Sequence, residues 1–101
     1  MFNKTRLFLT IAERPKYEFD VYNRGECFYK DINGLLPMQE GQSISFRTRD
    51  NLHSTKIRGI MWLTEMTAMG IYTEVIAAEK EEYSNLYYVL ECQGWEVCKI
   101  K

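Results

Sequence analysis

The chain has 101 residues and a mass of 12.0 kDa, with 46% hydrophobic and 27% charged residues and a formal net charge of −1. That is material for one core, so a single domain over residues 1–101 is expected, and seven Tyr, five Phe and two Trp argue against disorder. A generally basic nucleic-acid coat is excluded by the charge balance, and no apolar run approaches the roughly 18 residues that would span a bilayer.

The start of the chain, residues 1–6, leads into a short apolar stretch, Leu7 to Ala12, too short for a secretory signal and followed by no small-residue cleavage site. Three Cys is an odd count, so reduced thiols in a cytoplasmic setting are expected. Residues 5–13 read as a strand with Leu7, Leu9 and Ile11 on one face, broken at Arg14-Pro15. Tyr17, Phe19 and Val21 then alternate with Lys16, Glu18 and Asp20. With a turn at Asn23-Arg24-Gly25, this predicts a hairpin setting Val21 opposite Cys27, Phe19 opposite Tyr29 and Glu18 opposite Lys30.

Asp31-Ile32-Asn33-Gly34 signals a turn, and Leu36-Pro37 and Glu40-Gly41 keep the chain irregular. Residues 43–49 and 56–61 then read as a second hairpin closed by a six-residue loop, 50–55. Ile44 and Phe46 face one way, with Ile57, Gly59 and Met61; Arg47, Arg49, Lys56 and Arg58 face the other. In that register Arg49 opposes Lys56 and Arg47 opposes Arg58, and the same face continues to Ile60 and Trp62. Like charges directly opposite one another destabilise a sheet, so a counter-charge is expected nearby. Residues 42–62 carry these four bases and one acid, Asp50; residues 63–91 carry six Glu against Lys80. The chain is dipolar.

Residues 62–83 admit two readings. Strand spacing lines up Ile71, Thr73 and Val75 against Leu90, Tyr88 and Leu86; helical spacing lines up Ile71, Val75 and Ala78. Residues 86–92 and 95–101 read as a last hairpin across Gln93-Gly94. Together these elements predict an all-β fold, a small antiparallel barrel or sandwich of about 7–8 short strands. The alternative is an α+β fold, a curved antiparallel sheet with one helix within 62–83.

Catalytic machinery is sparse. His53 is the single histidine, placed in a polar loop, and the Asp50 to Ser54 segment holds triad residue types without any spacing that brings them together. Glu81 and Glu82 read as part of a solvated turn. Cys92 and Cys98 lack the paired spacing of a tetrahedral site, and Cys27 and Cys92 read as small core residues. No glycine-rich phosphate loop occurs. A non-enzymatic protein with no cofactor and no metal is expected.

Two features point to binding. Arg47, Arg49, Lys56, Arg58 and Trp62 form a candidate partner site for an acidic protein surface, with nucleic acid as the second candidate. Tyr22, Phe28, Tyr72, Tyr87 and Tyr88 are surplus aromatics that would fill a second core layer, form a homodimer contact, or line a ligand-holding barrel interior. The expected function is a small binding or regulatory protein, of inhibitor or adaptor type, using the basic hairpin. A small-ligand barrel is the remaining alternative.

Overall fold

A computed structural model describes residues 4–15, 24–49 and 51–98. The elements are β1 (Lys4–Glu13), β2 (Arg24–Asn33), β3 (Ser43–Arg47), β4 (Leu52–Leu63), β5 (Ala68–Thr73), β6 (Ile76–Ala78), α1 (Lys80–Cys92) and β7 (Glu96–Val97), with a 3-10 turn at Thr64–Met66. The strands form one sheet in the order β3-β4-β5-β1-β2-β7, and β6 continues beside β1 beyond β5. The sheet curls into a half-barrel. It is mixed, because β5 and β6 run parallel to β1 while the other pairings are antiparallel.

The alternation expected for residues 5–13 builds β1. Leu7, Leu9 and Ile11 are buried, and the sheet face they define carries Phe28, Met69, Ile71 and Ile57. Helix α1 lies over one end of that face, where Tyr83, Leu86 and Leu90 pack on Leu9, Ile11 and Phe28. The irregular segment after β2 covers the other end with Leu36 and Met38, tethered by the buried Thr5 hydroxyl. That hydroxyl donates to the Gly34 carbonyl at 2.8 Å and accepts the Leu36 N–H at 3.2 Å.

Three expectations from the sequence are corrected. β2 pairs with β1, setting Tyr29 opposite Phe8 and Cys27 opposite Thr10, while β7 sets Glu96 opposite Tyr29 on its other side. Tyr29 thus has Phe8 on one side and Glu96 on the other. The stretch expected to pair there, 16–22, lies outside the described residues. The pairing with β1 sets β2 against a strand that buries three large side chains at once.

The second correction concerns the C-terminal hairpin, where residues 80–92 are helical instead. Tyr83, Leu86 and Leu90 fall at i, i+3 and i+7, a helical stripe that buries all three. Gln93-Gly94 is its terminator. Gly94 has φ +87°, its N–H reaches the Glu91 carbonyl (3.1 Å), and the Trp95 N–H reaches that of Leu90 (3.0 Å). These two bonds make a Schellman cap, sealed by Trp95 packing on the cluster that holds Leu90. Lys30 donates to the Gln93 carbonyl at the same end. As a result Cys92 is exposed rather than in the core.

The third correction is to residues 62–83. Apart from the 3-10 turn at Thr64–Met66 they are mainly strand up to Ala78, yet Ile71 lies opposite Leu7 and Ile60 rather than Leu90, and the one α-helix among the described residues starts at Lys80.

Candidate functional site

The β3–β4 hairpin closes earlier than its sequence suggests. Arg47 lies opposite Leu52, Phe46 opposite His53, Ser45 opposite Ser54 and Ser43 opposite Lys56, leaving a four-residue turn at 48–51. The Thr48 N–H donates to the Asn51 carbonyl at 2.9 Å, and the Thr48 hydroxyl accepts the Asn51 N–H at 3.3 Å.

What selects this register is a carboxylate from the helix. Glu82 Oε2 lies 2.5 Å from His53 Nε2 and accepts the Thr48 hydroxyl at 3.0 Å; Asn85 donates to its Oε1 at 3.2 Å. The His53 ring also stacks on Phe46, with centroids 6.0 Å apart. His53 is thus not a solvated loop histidine: it stands in β4 on the same face as Thr55 and Ile57, both buried. Nor is Glu82 part of a solvated turn. Burial pushes its carboxyl up, but hydrogen bonds from His53, Asn85, Thr48 and Asn51 outweigh this and hold it below the ordinary carboxylate range. Thr48 is only 3% exposed, so its hydroxyl is closed to a substrate, and the trio acts as a clasp between hairpin and helix.

Outside the clasp lie the basic residues. Ser43, Ser45 and Arg47 on β3 and Leu52, Ser54, Lys56 and Arg58 on β4 are exposed, opposite in parity to the buried set. Arg49 is exposed in the turn. The expected face-to-face cations do not occur: Arg47 and Lys56 are four residues apart along the ribbon, about 13 Å at strand rise. Hence the like-charge opposition disappears. Arg58 has its own counter-charge, Glu74 Oε1 at 3.3 Å. Among the described residues no carboxylate pairs with Arg47, Arg49 or Lys56.

Trp62 does not share that face. The β4–β5 register shifts between Ile57 and Gly59, a bulge that inserts one residue and inverts the alternation. Beyond it Ile60 opposes Ile71 and Trp62 opposes Met69, both buried partners on the core side of the sheet. Trp62 is 53% exposed there because the helix does not reach that end. The basic patch therefore lacks an adjacent indole.

The surplus aromatics resolve mostly into packing. Phe28 is buried, with Tyr87 edge-on to it at 5.0 Å, and Tyr72 stacks on Phe8 at 4.6 Å on the opposite sheet face. Tyr88 is exposed, and Tyr22 lies outside the described residues. A groove of about 750 Å³ runs by β7, lined by Arg6, Tyr29, Trp95, Glu96 and Cys98 among others. Arg6, Tyr29 and Glu96 in it are already paired. Arg6 makes a two-point pair with Asp31 at 2.7 and 2.8 Å and lies 4.2 Å over the Tyr29 ring, and the Tyr29 hydroxyl donates to Glu96. Cys27, expected in the core, is half-buried beside Cys98, their sulfurs 3.2 Å apart.

No described helix is long and apolar enough to cross a membrane. Comparison with protein-family models, with curated proteins and with solved structures finds no match to this chain.

Proposed function

We propose that this protein is a small non-catalytic binding protein, of inhibitor or adaptor type, that docks the outward face of its β3–β4 hairpin onto an acidic protein surface. The observation that supports the reading is the set Arg47 and Lys56, exposed on one side of the ribbon, with Arg49 exposed in the adjoining turn, none of them with a carboxylate among the described residues. Arg58 adds less, since Glu74 already screens it. Trp62 is left out of the contact by the β4 bulge. The Glu82 clasp supports a binding role because it holds the hairpin in one geometry before any partner arrives, which lowers the ordering cost of association. The same clasp engages the imidazole that general acid–base chemistry would need. A cytoplasmic setting completes the reading, supported by three free thiols.

The test is fluorescence anisotropy with a labelled poly-glutamate peptide at low and physiological ionic strength. Reversal of the three cations together (Arg47→Glu, Arg49→Glu, Lys56→Glu) should weaken binding by about tenfold or more while leaving the melting temperature unchanged, because exposed charges contribute little to stability. Equal binding by wild type and triple variant would end the proposal. Tighter binding of a labelled oligonucleotide, lost in the same variant, would transfer the site to nucleic acid.

A further inference from the structure

Among the described residues strand β3 is an edge of the sheet, and its backbone parity is legible from the bonds at either end of the ribbon. The Ile57 N–H donates to the Gln42 carbonyl and the Thr48 N–H to the Asn51 carbonyl, so residues 42, 44, 46 and 48 are those whose backbone groups point toward β4. The N–H and C=O groups of Ser43, Ser45 and Arg47 therefore point the other way, off the sheet. β3 stands at the end of the strand order, and no described residue pairs with that side.

Natural edges are blunted by proline, bulges or inward-pointing charge. β3, Ser-Ile-Ser-Phe-Arg, carries no proline, bulge or inward charge; its one charged side chain, Arg47, points outward, where it repels cationic strands and attracts an acidic one. At the opposite edge β7 is only two residues long, a much poorer template.

We propose that the acidic partner presents an extended segment that adds to the sheet as a strand along β3, with acidic and apolar residues in alternation. This deepens the docking reading above and rests on it. In antiparallel addition, residues of the added strand directly opposite Ser43, Ser45 and Arg47 exchange backbone hydrogen bonds and project to the outward face, beside Arg47 and Lys56; these positions favour Glu or Asp. The intervening residues lie beside Ile44 and Phe46, which are half-buried on the core side, and favour Val or Ile. Backbone pairing supplies affinity and the two side-chain rows supply selectivity. A second copy of this chain fits less well, since it would bring its own Arg47 and Arg49 to the same edge.

The probe is a fluorescein-labelled peptide of alternating Glu and Val. Three changes separate the possibilities. In one peptide the Glu amides are N-methylated, removing the donors that face β3; in another the Val amides are N-methylated, facing away. In the protein, Ser45→Pro removes one outward N–H without breaking a bond to β4, a position where an edge strand tolerates proline.

Strand addition predicts that Glu N-methylation weakens binding by about tenfold or more, because several backbone bonds are lost, and that Ser45→Pro, which removes one, weakens it by about threefold to tenfold. The Val-methylated peptide should bind as the parent does, and the Ser43, Ser45 and Arg47 amides should gain hydrogen-exchange protection. The peptide arm uses the wild-type protein, so the result stands even if Ser45→Pro unfolds. Binding lost on reversal of the three cations but indifferent to Glu N-methylation overturns strand addition and keeps charge docking. No binding of the parent peptide, or protection that grows with protein concentration alone, overturns it as well, the latter in favour of self-pairing.

Discussion

Removing the Glu82 carboxylate tests how the basic hairpin is held. In Glu82→Ala the His53 Nε2 loses its partner and the Thr48 hydroxyl loses one of two, in a place where the His53 and Glu82 side chains are only 16% and 15% exposed. An unpaired buried polar group costs about 1–3 kcal/mol. Thr48 keeps Asn51, so the loss should total about 2–3 kcal/mol by the same reckoning. For a domain of this size that lowers the melting temperature by roughly 10–20 °C. The glutamine variant keeps the shape and loses only the charge, so it should cost about 1 kcal/mol. It should also change the pH dependence. The Glu82 carboxyl sits below its unfolded range in the folded protein, so its stabilisation is present above that range and disappears as pH falls through the folded value. In that interval the unfolded chain binds more protons and stability rises with pH. Glu82→Gln should flatten this acid limb. Urea titrations of wild type, Glu82→Ala, His53→Ala and the double variant measure the coupling directly. A Glu82→Ala protein within about 0.5 kcal/mol of wild type, or a strictly additive double variant, would refute the clasp.

Two glycines of the β4–β5 pair should respond oppositely to alanine. A Cβ at Gly70 would stand 3.1 Å from Leu63 Cδ1 and 3.2 Å from Tyr72 Cε2, so Gly70→Ala should destabilise by about 1 kcal/mol; Gly59 meets nothing within 4 Å, and Gly59→Ala should be neutral in the same urea titration. At the end of α1, Gly94→Ala forces a left-handed residue and should cost about 1–2 kcal/mol, read as lost helical ellipticity on heating; no change would argue against the cap. Burial, reinforced by the Cys27 thiol, pushes the Cys98 thiol up to about 12. Under native conditions iodoacetamide should therefore alkylate exposed Cys92 first and Cys98 more slowly by about a hundredfold or more, as mass spectrometry can follow; comparable rates would contradict that burial.

Legible from local pattern were the strand of Leu7, Leu9 and Ile11, the outward parity of Arg47, Lys56 and Arg58, and a fold dominated by strands. Period-two alternation expresses which side chains want burial, and that survives any choice of partner. Tertiary structure alone decided the partners. β2 pairs with β1, whose long apolar face buries Leu7, Leu9 and Ile11. Residues 86–92 became helix because Tyr83, Leu86 and Leu90 had a sheet face to cover, and the Gln93-Gly94 signal, shared by hairpins and helix ends, followed suit. The hairpin register came from Glu82, 29 residues beyond His53, and the fate of Trp62 from a single inserted residue in β4. A bulge and a distant carboxylate leave little trace in local periodicity. They are settled by which buried polar groups find each other once the chain has collapsed.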